Sequence, residues 1–354
     1  MLQYLKTNIF LSIFLIGLLQ GTDISKINSN TDISGQWFLA YNNASDINQF
    51  ALKRGYFTIK TRMNDVFSVR YTQDITLDKE GDDAGNVEIR LKYLYLKMKL
   101  DQFAYLKNSY LEIGLVHRPW LDFEQKINRY RVQGKMFLER YKIISSADFG
   151  IFYTGLIGGN IDSKYQTNVT KNNPGKYGSY SFGIHNGGGY HAIEQNNNKT
   201  FEGRLTARPF HSSVPGLQLT YAFTYGKANT PDNISDFILN LIYLSHESKF
   251  GVFTGQYFEG TGDFSGKYID DTGNSYSNTG YSIFSELNIP CTNVSIFSRY
   301  DEFELKNNVS QKQNSFVGGI SYNFLKNKIL FDVDYQDNSI ETIKIYEIAF
   351  EIGF

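Results

Sequence analysis

The feature that most constrains this chain is a two-residue alternation of apolar and polar side chains that returns along almost its whole length. At the end, Tyr346, Ile348, Phe350, Ile352 and Phe354 share one face of an extended strand, and Glu347, Ala349, Glu351 and Gly353 share the other. Phe67-Ser68-Val69-Arg70-Tyr71-Thr72 repeats the pattern. Leu217, Leu219, Tyr221, Phe223 and Tyr225 alternate with Gln218, Thr220, Ala222 and Thr224, and Ile329, Phe331, Val333 and Tyr335 alternate with Leu330, Asp332, Asp334 and Gln336. Period two marks strands with one wet and one dry face rather than helices. Similar runs lie near 34–41, 54–61, 87–100, 109–116, 147–155, 178–186, 200–208, 236–245, 249–258, 280–288, 293–301 and 314–324. The total is about sixteen strands.

Composition says where the dry faces go. Only 41% of residues are hydrophobic, yet 16% are aromatic, with 28 Phe and 26 Tyr against 2 Trp. Tyr and Phe suit strands that meet lipid at mid-depth and headgroups at the rims. After the first twenty residues no stretch reaches the roughly 18 apolar residues a membrane helix needs. The closing strand, with Phe354 beside the terminal carboxylate, resembles the last strand of bacterial outer-membrane barrels, whose terminal aromatic is read by the barrel assembly machinery. The resemblance implies an all-β fold, a transmembrane antiparallel β-barrel of about sixteen strands, with Phe354 as the contact for that machinery.

The other end agrees. Lys6 precedes an apolar run from Ile9 to Leu19, followed by Gln20, Gly21 and Thr22. The run is short for a spanning anchor and has the length of a signal-peptide core. Residues 1–21 are therefore expected to be a signal peptide, 22–32 a short periplasmic lead and 33–354 the barrel, delivered through the periplasm to the lipid of the outer membrane. No Cys lies near the cleavage point, which disfavours a lipid anchor, and the lone Cys291 excludes an internal disulfide.

One run breaks phase. Val87, Ile89, Leu91 and Tyr93 set one face, whereas Leu94, Leu96, Met98 and Leu100 set the other, so a β-bulge is expected near Tyr93 to Leu96. Connections should alternate between short turns and longer loops. Near 246–249, 289–293 and 325–328 they are short, and near 259–279 and 301–314 longer. Leu156 to Lys176 is long where a short turn is due, and could hold an extra hairpin.

The segment from His117 to about residue 146 is longer than a hairpin loop, and it carries Trp120, Leu121, Phe123, Ile127, Met136 and Phe137, which would be costly on an exposed rim. Folded back into the barrel, it would constrict the lumen. Between His117 and Lys142 seven cations, Arg118, Lys126, Arg129, Arg131, Lys135, Arg140 and Lys142, face three acids, Asp122, Glu124 and Glu139, in a chain of net charge −1. Gly114-Leu115 with Arg118-Pro119, Phe137-Leu138-Glu139-Arg140, Ala147-Asp148-Phe149-Gly150-Ile151 and Tyr180 to Gly187 resemble the phosphate-selective porin O and P family. So do Asn196-Asn197-Asn198-Lys199, Gly203-Arg204-Leu205 and Arg208-Pro209; the likeness covers roughly 109–210. It implies a homotrimeric sixteen-stranded porin whose third loop narrows the pore and whose Arg and Lys guide anions such as phosphate. The chain departs from that pattern in acidic lumen candidates: Glu286, Asp332, Asp334 and Glu351.

With apolar residues toward lipid, Arg70, Arg90, Lys92, Arg204, Arg208 and Arg299 face the pore, as do Glu88, Glu112, Glu202 and Glu286. Cations gather in the first half and acids in the last strands, so a transverse field across the channel is expected. Arg118, Arg129, Arg131, Lys135 and Arg140 are the candidate constriction cations. No hydrolase elbow, zinc helix, Cys cluster or phosphate loop occurs, so neither enzyme activity nor cofactor nor metal is expected, and His185 and His191 read as solvated loop residues. Net charge and location exclude nucleic acid as a partner. Passive diffusion of small hydrophilic solutes is the leading expectation; the alternatives are the sheath of a trans-envelope conduit and a surface receptor or adhesin, although the roughly ten residues before Ile33 are too few for a plug domain.

Overall fold

The computed structural model describes residues 30–354, apart from 46, 79–81, 83, 102, 104, 105, 107, 232, 233, 308, 309, 339 and 340. The expected signal peptide and nearly all of the lead segment lie outside the described residues. Eight strands make the first half: β1 (Thr31–Ala44), β2 (Ile47–Arg62), β3 (Phe67–Leu77), β4 (Val87–Lys99), β5 (Ser109–His117), β6 (Ala147–Ile157), β7 (Gly178–His185) and β8 (Thr200–Ala207). Eight more follow: β9 (Leu217–Lys227), β10 (Asp236–Ser248), β11 (Gly251–Thr261), β12 (Ser277–Asn288), β13 (Val294–Lys306), β14 (Gln311–Phe324), β15 (Asn327–Asp337) and β16 (Thr342–Gly353). Each pairs antiparallel with its neighbour and β16 returns to β1, so the sheet closes into a barrel of sixteen strands. Closure leaves no unpaired edge, as a sheet surrounded by hydrocarbon requires.

The alternation sorts the faces as the sequence implied. In β15, Phe331 and Val333 point out while Asp332 and Asp334 point in and are buried; β9 and β16 divide in the same way. Ile151, Ile184, Leu219, Ile242, Phe253, Ile283, Ile296, Ile320 and Phe350 add to an exposed outer belt, the surface a bilayer covers in barrels of this type. At the seam Gly35 and Phe354 exchange backbone hydrogen bonds of 3.2 Å, and a Cβ at Gly35 would lie 2.1 Å from the Phe354 ring. The glycine is the seat for the terminal aromatic.

Both chain ends of the barrel lie at one rim, the terminal rim; the β1–β2, β3–β4 and β5–β6 connections lie at the distal rim. β13 and β14 run on to Lys306 and from Gln311, so the long connection expected over 301–314 is mostly strand. The long connection at 158–177 holds no hairpin. It forms one isolated bridge, Asn160 to Gly175, and a short helix (Ser163–Asn168) whose cap Asp162 accepts from the Lys164 and Tyr165 amides. The segment reaches beneath the constriction loop: Asn172 Nδ2 donates to the Lys126 carbonyl at 3.0 Å, and buried Tyr165 donates to the Glu247 carbonyl.

Among the described residues two bulges interrupt the ladder. In β4 the partner register passes from Thr72–Tyr93 to Gln73–Leu91, which makes Lys92 the extra residue, just before the expected position. Lys92 and Tyr93 therefore both face inward, and Tyr93 leaves the outward set to which simple alternation assigned it. In β2, Phe38 pairs with Arg54 and Leu39 with Leu52, leaving Lys53 as the extra residue.

Candidate functional site

Residues 118–146 enter the lumen from the distal rim. Pro119 fixes the first turn of α1 (Pro119–Ile127), where its missing N–H costs nothing, and a second short helix, α2, spans Phe137–Arg140. The faces they bury are the apolar residues noted in the sequence. Trp120, Leu121, Phe123, Ile127, Tyr130, Met136, Phe137 and Tyr141 form one core with Phe237, Leu239, Leu241, Tyr243, Phe258, Phe284, Phe297 and Phe303 from the inner wall. These wall positions are apolar although they face the lumen; in β10, Ile242 and Leu244 are also apolar and exposed on the other face. Much of the interior beside β10–β13 is thus packed solid.

Irregular backbone inside a barrel needs partners for its carbonyls, and the wall supplies them. Lys53 Nζ reaches the Gln133 carbonyl at 2.6 Å, while Arg299 reaches that of Lys135 and Lys328 that of Arg129, each at 2.9 Å. Tyr268, from the β11–β12 connection, donates to the Tyr141 carbonyl at 2.7 Å. Gln256 donates to Glu124 at 2.6 Å; burial pushes the Glu124 carboxyl up to about 7. Glu139 is buried too, which alone would raise it, but Arg131, Lys92 and Arg54 hold it down to about 2.

Two abutting cavities lie on the opposite side, between the loop and the wall of β1–β5. A cavity of about 490 Å³ toward the terminal rim and one of about 760 Å³ toward the distal rim share Phe38 and Arg131 in their linings. Lys60, Arg70, Lys92, Lys126, Arg131 and Lys326 line the first with a single acidic side chain, Asp122, whose carboxylate Lys126 holds at 2.7 Å; Phe354 also borders it. The second carries Lys53, Arg54, Arg90, Arg131, Lys135 and Lys142 against Asp78 and Glu88. Between the strands, fully buried Asp74 binds Arg54 at 3.2 Å, Arg90 at 3.0 Å and the Tyr190 hydroxyl at 2.8 Å.

The sequence candidates fall into two groups. Arg70, Arg90, Lys92, Arg131 and Lys135 border these cavities. The others serve elsewhere. Arg118 is buried, bonded to Glu202 at 2.7 Å and set over the Phe237 ring. Arg129 borders a separate recess of about 560 Å³ and pairs with Glu247 at 3.3 Å. Arg140 ties α2 to Ser315 at 2.8 Å and Asp334 at 3.2 Å. Arg204 binds Ser179, Ser181 and Thr206 and lies under Phe123, and Arg208 clamps the carbonyls of Asn173, Gly175 and Pro215. Arg299 pairs with Asp301 at 3.1 Å.

Most acids of the last strands are engaged in the same way. Asp334 meets Arg140, Glu347 meets Lys53, Glu351 accepts from Gln36 and Glu286 accepts from Tyr130, while Asp332 is buried without a hydrogen-bond partner among the described residues, so the expected anionic wall is covered rather than facing the cationic one across open water. His185 is not a solvated loop residue: it is buried at the end of β7, its Nε2 3.2 Å from the His117 carbonyl oxygen, while His191 is exposed. Among the described residues no three His, Cys, Asp or Glu side chains converge as a metal site. Lys53, Arg54, Tyr56 and Tyr93 were missed. The signal was a switch of apolar parity, from Phe50 and Leu52 to Phe57 and Ile59 in β2, which marks an inserted residue.

No family model matches the sequence, and no curated protein matches it. Solved structures do. The anion-selective porin from Comamonas acidovorans superposes with a TM-score of 0.60 at 11% identity, over 92% of this chain and 99% of that one. OmpF of Salmonella typhi gives 0.61 at 11% identity, over 92% and 98%. OmpT of Vibrio cholerae, an outer membrane protein in a trimer form, gives 0.60 at 11%, over 92% and 99%. At this identity the likeness is one of fold.

Proposed function

We propose that the chain is an outer-membrane porin through which small hydrophilic anions diffuse. The carrying observation is the cavity of about 490 Å³ along β1–β5, whose lining holds six cations against one acidic side chain, with Lys126 and Arg131 paired to Asp122 and Glu139; in the abutting cavity Lys53, Arg54, Arg90 and Arg131 are paired with Glu347, Asp74 and Glu139, which leaves Lys135 and Lys142 beside Asp78 and Glu88. In a confined path this excess raises the local concentration of anions and repels cations without a tight site. The exposed apolar belt supports a place in the bilayer, and the fold shared with an anion-selective porin and a trimeric outer membrane protein supports the same membrane and a homotrimer. In this reading residues 1–21 are a cleaved signal peptide, 33–354 are the barrel, residues 117–146 constrict its lumen, and Phe354 is the handle for the assembly machinery. Likeness of residues 109–210 to phosphate-selective porins supports oxyanions, phosphate among them, as the solutes. A conduit sheath would need an open lumen for its partner, whereas this lumen is half filled by the chain's own loop.

The test is the reversal potential of purified protein in a planar bilayer under a tenfold potassium chloride gradient. Anion preference is expected. A cation-preferring or non-conducting inserted barrel would overturn the proposal.

A further inference from the structure

The cations beside the loop are accompanied by rings, and the two are brought together by the β4 bulge. Because Lys92 is an extra residue in the ladder, its ammonium and the adjacent Tyr93 phenol enter the lumen side by side, which regular alternation forbids. Lys92 Nζ lies 5.3 Å from the Tyr56 ring centre and 5.8 Å from that of Tyr93, and the Arg70 guanidinium lies 4.5 Å over Tyr93. Phe38 meets Tyr56 edge to face at 6.0 Å. All five residues, with Arg131, line the 490 Å³ cavity.

The charges there are only partly neutralised. Arg70 bonds Thr72 Oγ1 at 3.0 Å and His117 Nε2 at 3.1 Å, and Lys92 bonds Ser146 Oγ at 2.8 Å; among the described residues neither has a carboxylate within 4.0 Å. Arg131 pairs with Glu139. An inorganic phosphate would meet hydrogen-bond donors on one side and ring carbons on the other, and would lose water to the rings without return. An anion with a flat apolar body meets both halves: its carboxylate on the cations, its ring on Phe38, Tyr56 and Tyr93. The volume lies in the range of small-molecule sites.

We propose that this cavity is a binding site for a small aromatic carboxylate, a solute subsite that rests on the reading of the chain as a pore. In chloride-filled single channels of the full chain, benzoate is expected to half-block at a concentration roughly tenfold below acetate, the factor that about 1.4 kcal/mol of ring contact sets. Tyr93→Leu is expected to bring the two within about twofold, Tyr93→Phe to keep them apart, and Lys92→Gln to weaken block by both. Equal block by benzoate and acetate in the unaltered chain, or tighter block by inorganic phosphate than by benzoate, overturns the site. Saturation-transfer NMR with benzoate on the detergent-solubilised chain reads the site without any current. A barrel that carries no current but contacts benzoate loses the pore reading and keeps the site; one that conducts but shows no benzoate contact loses the site.

Discussion

Arg70 provides the sharpest test of where ions travel. It faces the cavity beside β1–β5 and has no carboxylate partner among the described residues, whereas Arg129 borders the recess beyond the loop and is paired with Glu247. A permeating ion about 5 Å from Arg70 feels roughly 0.8 kcal/mol at the permittivity of water, and screening at 0.1 M salt reduces this to about 0.5 kcal/mol. Neutralisation in Arg70→Gln acts on chloride and potassium in opposite senses, so their relative free energy shifts by about 1 kcal/mol, roughly fivefold in permeability ratio. Arg70→Glu doubles the charge change and squares the ratio, to about twenty-five-fold. Arg129→Gln is expected to stay below about twofold, since its charge is opposed by Glu247 and lies outside the path. Reversal potentials of the three variants in planar bilayers read the series directly. Equal shifts for Arg70→Gln and Arg129→Gln, or none for Arg70→Glu in a channel of normal conductance, would refute a path along β1–β5.

Three further outcomes follow from separate parts of the barrel. Val333→Arg places a cation on the outer face near mid-strand and is expected to cost about 2 to 4 kcal/mol in denaturant unfolding from vesicles, with Asp332→Lys, facing Asp334 and Glu347, costing less than half of that; equal costs would overturn the register. Gly35→Ala puts a methyl where the Phe354 ring sits, so it should lower the heat-modifiable folded band on a gel as deletion of Phe354 does, and a normal band from either would remove the seam argument. Burial, helped by Asp301 and Glu139 and opposed by Gln256 and Arg299, raises the folded pKa of Glu124 to about 7, so the folded loop holds its proton more tightly than the unfolded chain; stability is greatest below the unfolded carboxyl range, near pH 4, and falls as pH rises to about 7, by a few kcal/mol at most. Protease cleavage within 118–146 should therefore quicken between pH 5 and 8, and Glu124→Gln should flatten that dependence; an unaltered slope in the variant would remove Glu124 as its source.

The barrel was legible because its strands repeat a period that no other element shares, so each run of four or five alternating residues carried the same message. Phe331 and Asp332 could be sent to opposite faces from sequence alone. The interior was less legible for a physical reason: a lumen wall covered by a loop obeys core chemistry, not pore chemistry. Phe237, Leu239 and Leu241 face inward, and nothing in β10 alone says which of its two apolar faces meets lipid. The cations of residues 118–146 look alike in sequence, yet Arg118 and Arg140 fasten the loop while Arg131 borders open space. Pairing partners such as Glu202 and Asp334 lie far along the chain and are joined only by closure of the sheet. The bulge in β4 could be read from its parity switch, but not that its insertion would be Lys92.

The two kinds of strand explain why the open path is off centre. Strands β10–β13 spend inward positions on Phe, Leu and Tyr, which the apolar face of the loop covers, while β1–β5 keep Arg, Lys, Thr and Tyr inward and stay wet. A loop that carried only charge would have no reason to choose a wall; one with Trp120, Phe123 and Phe137 must lie against β10–β13, since only there can those rings leave water. Docking on that side brings Arg140 to Asp334 and Asp301, while Lys53 of β2 pairs with Glu347 of β16, so the charge left facing the opening is basic although the chain as a whole is close to neutral. The sign of the path is thus set by which acids the loop covers rather than by net charge. Removing the apolar anchor, for example in Phe137→Ala, should accordingly alter selectivity as well as conductance, because it uncovers Asp334 and Asp301 at the same moment that it widens the lumen.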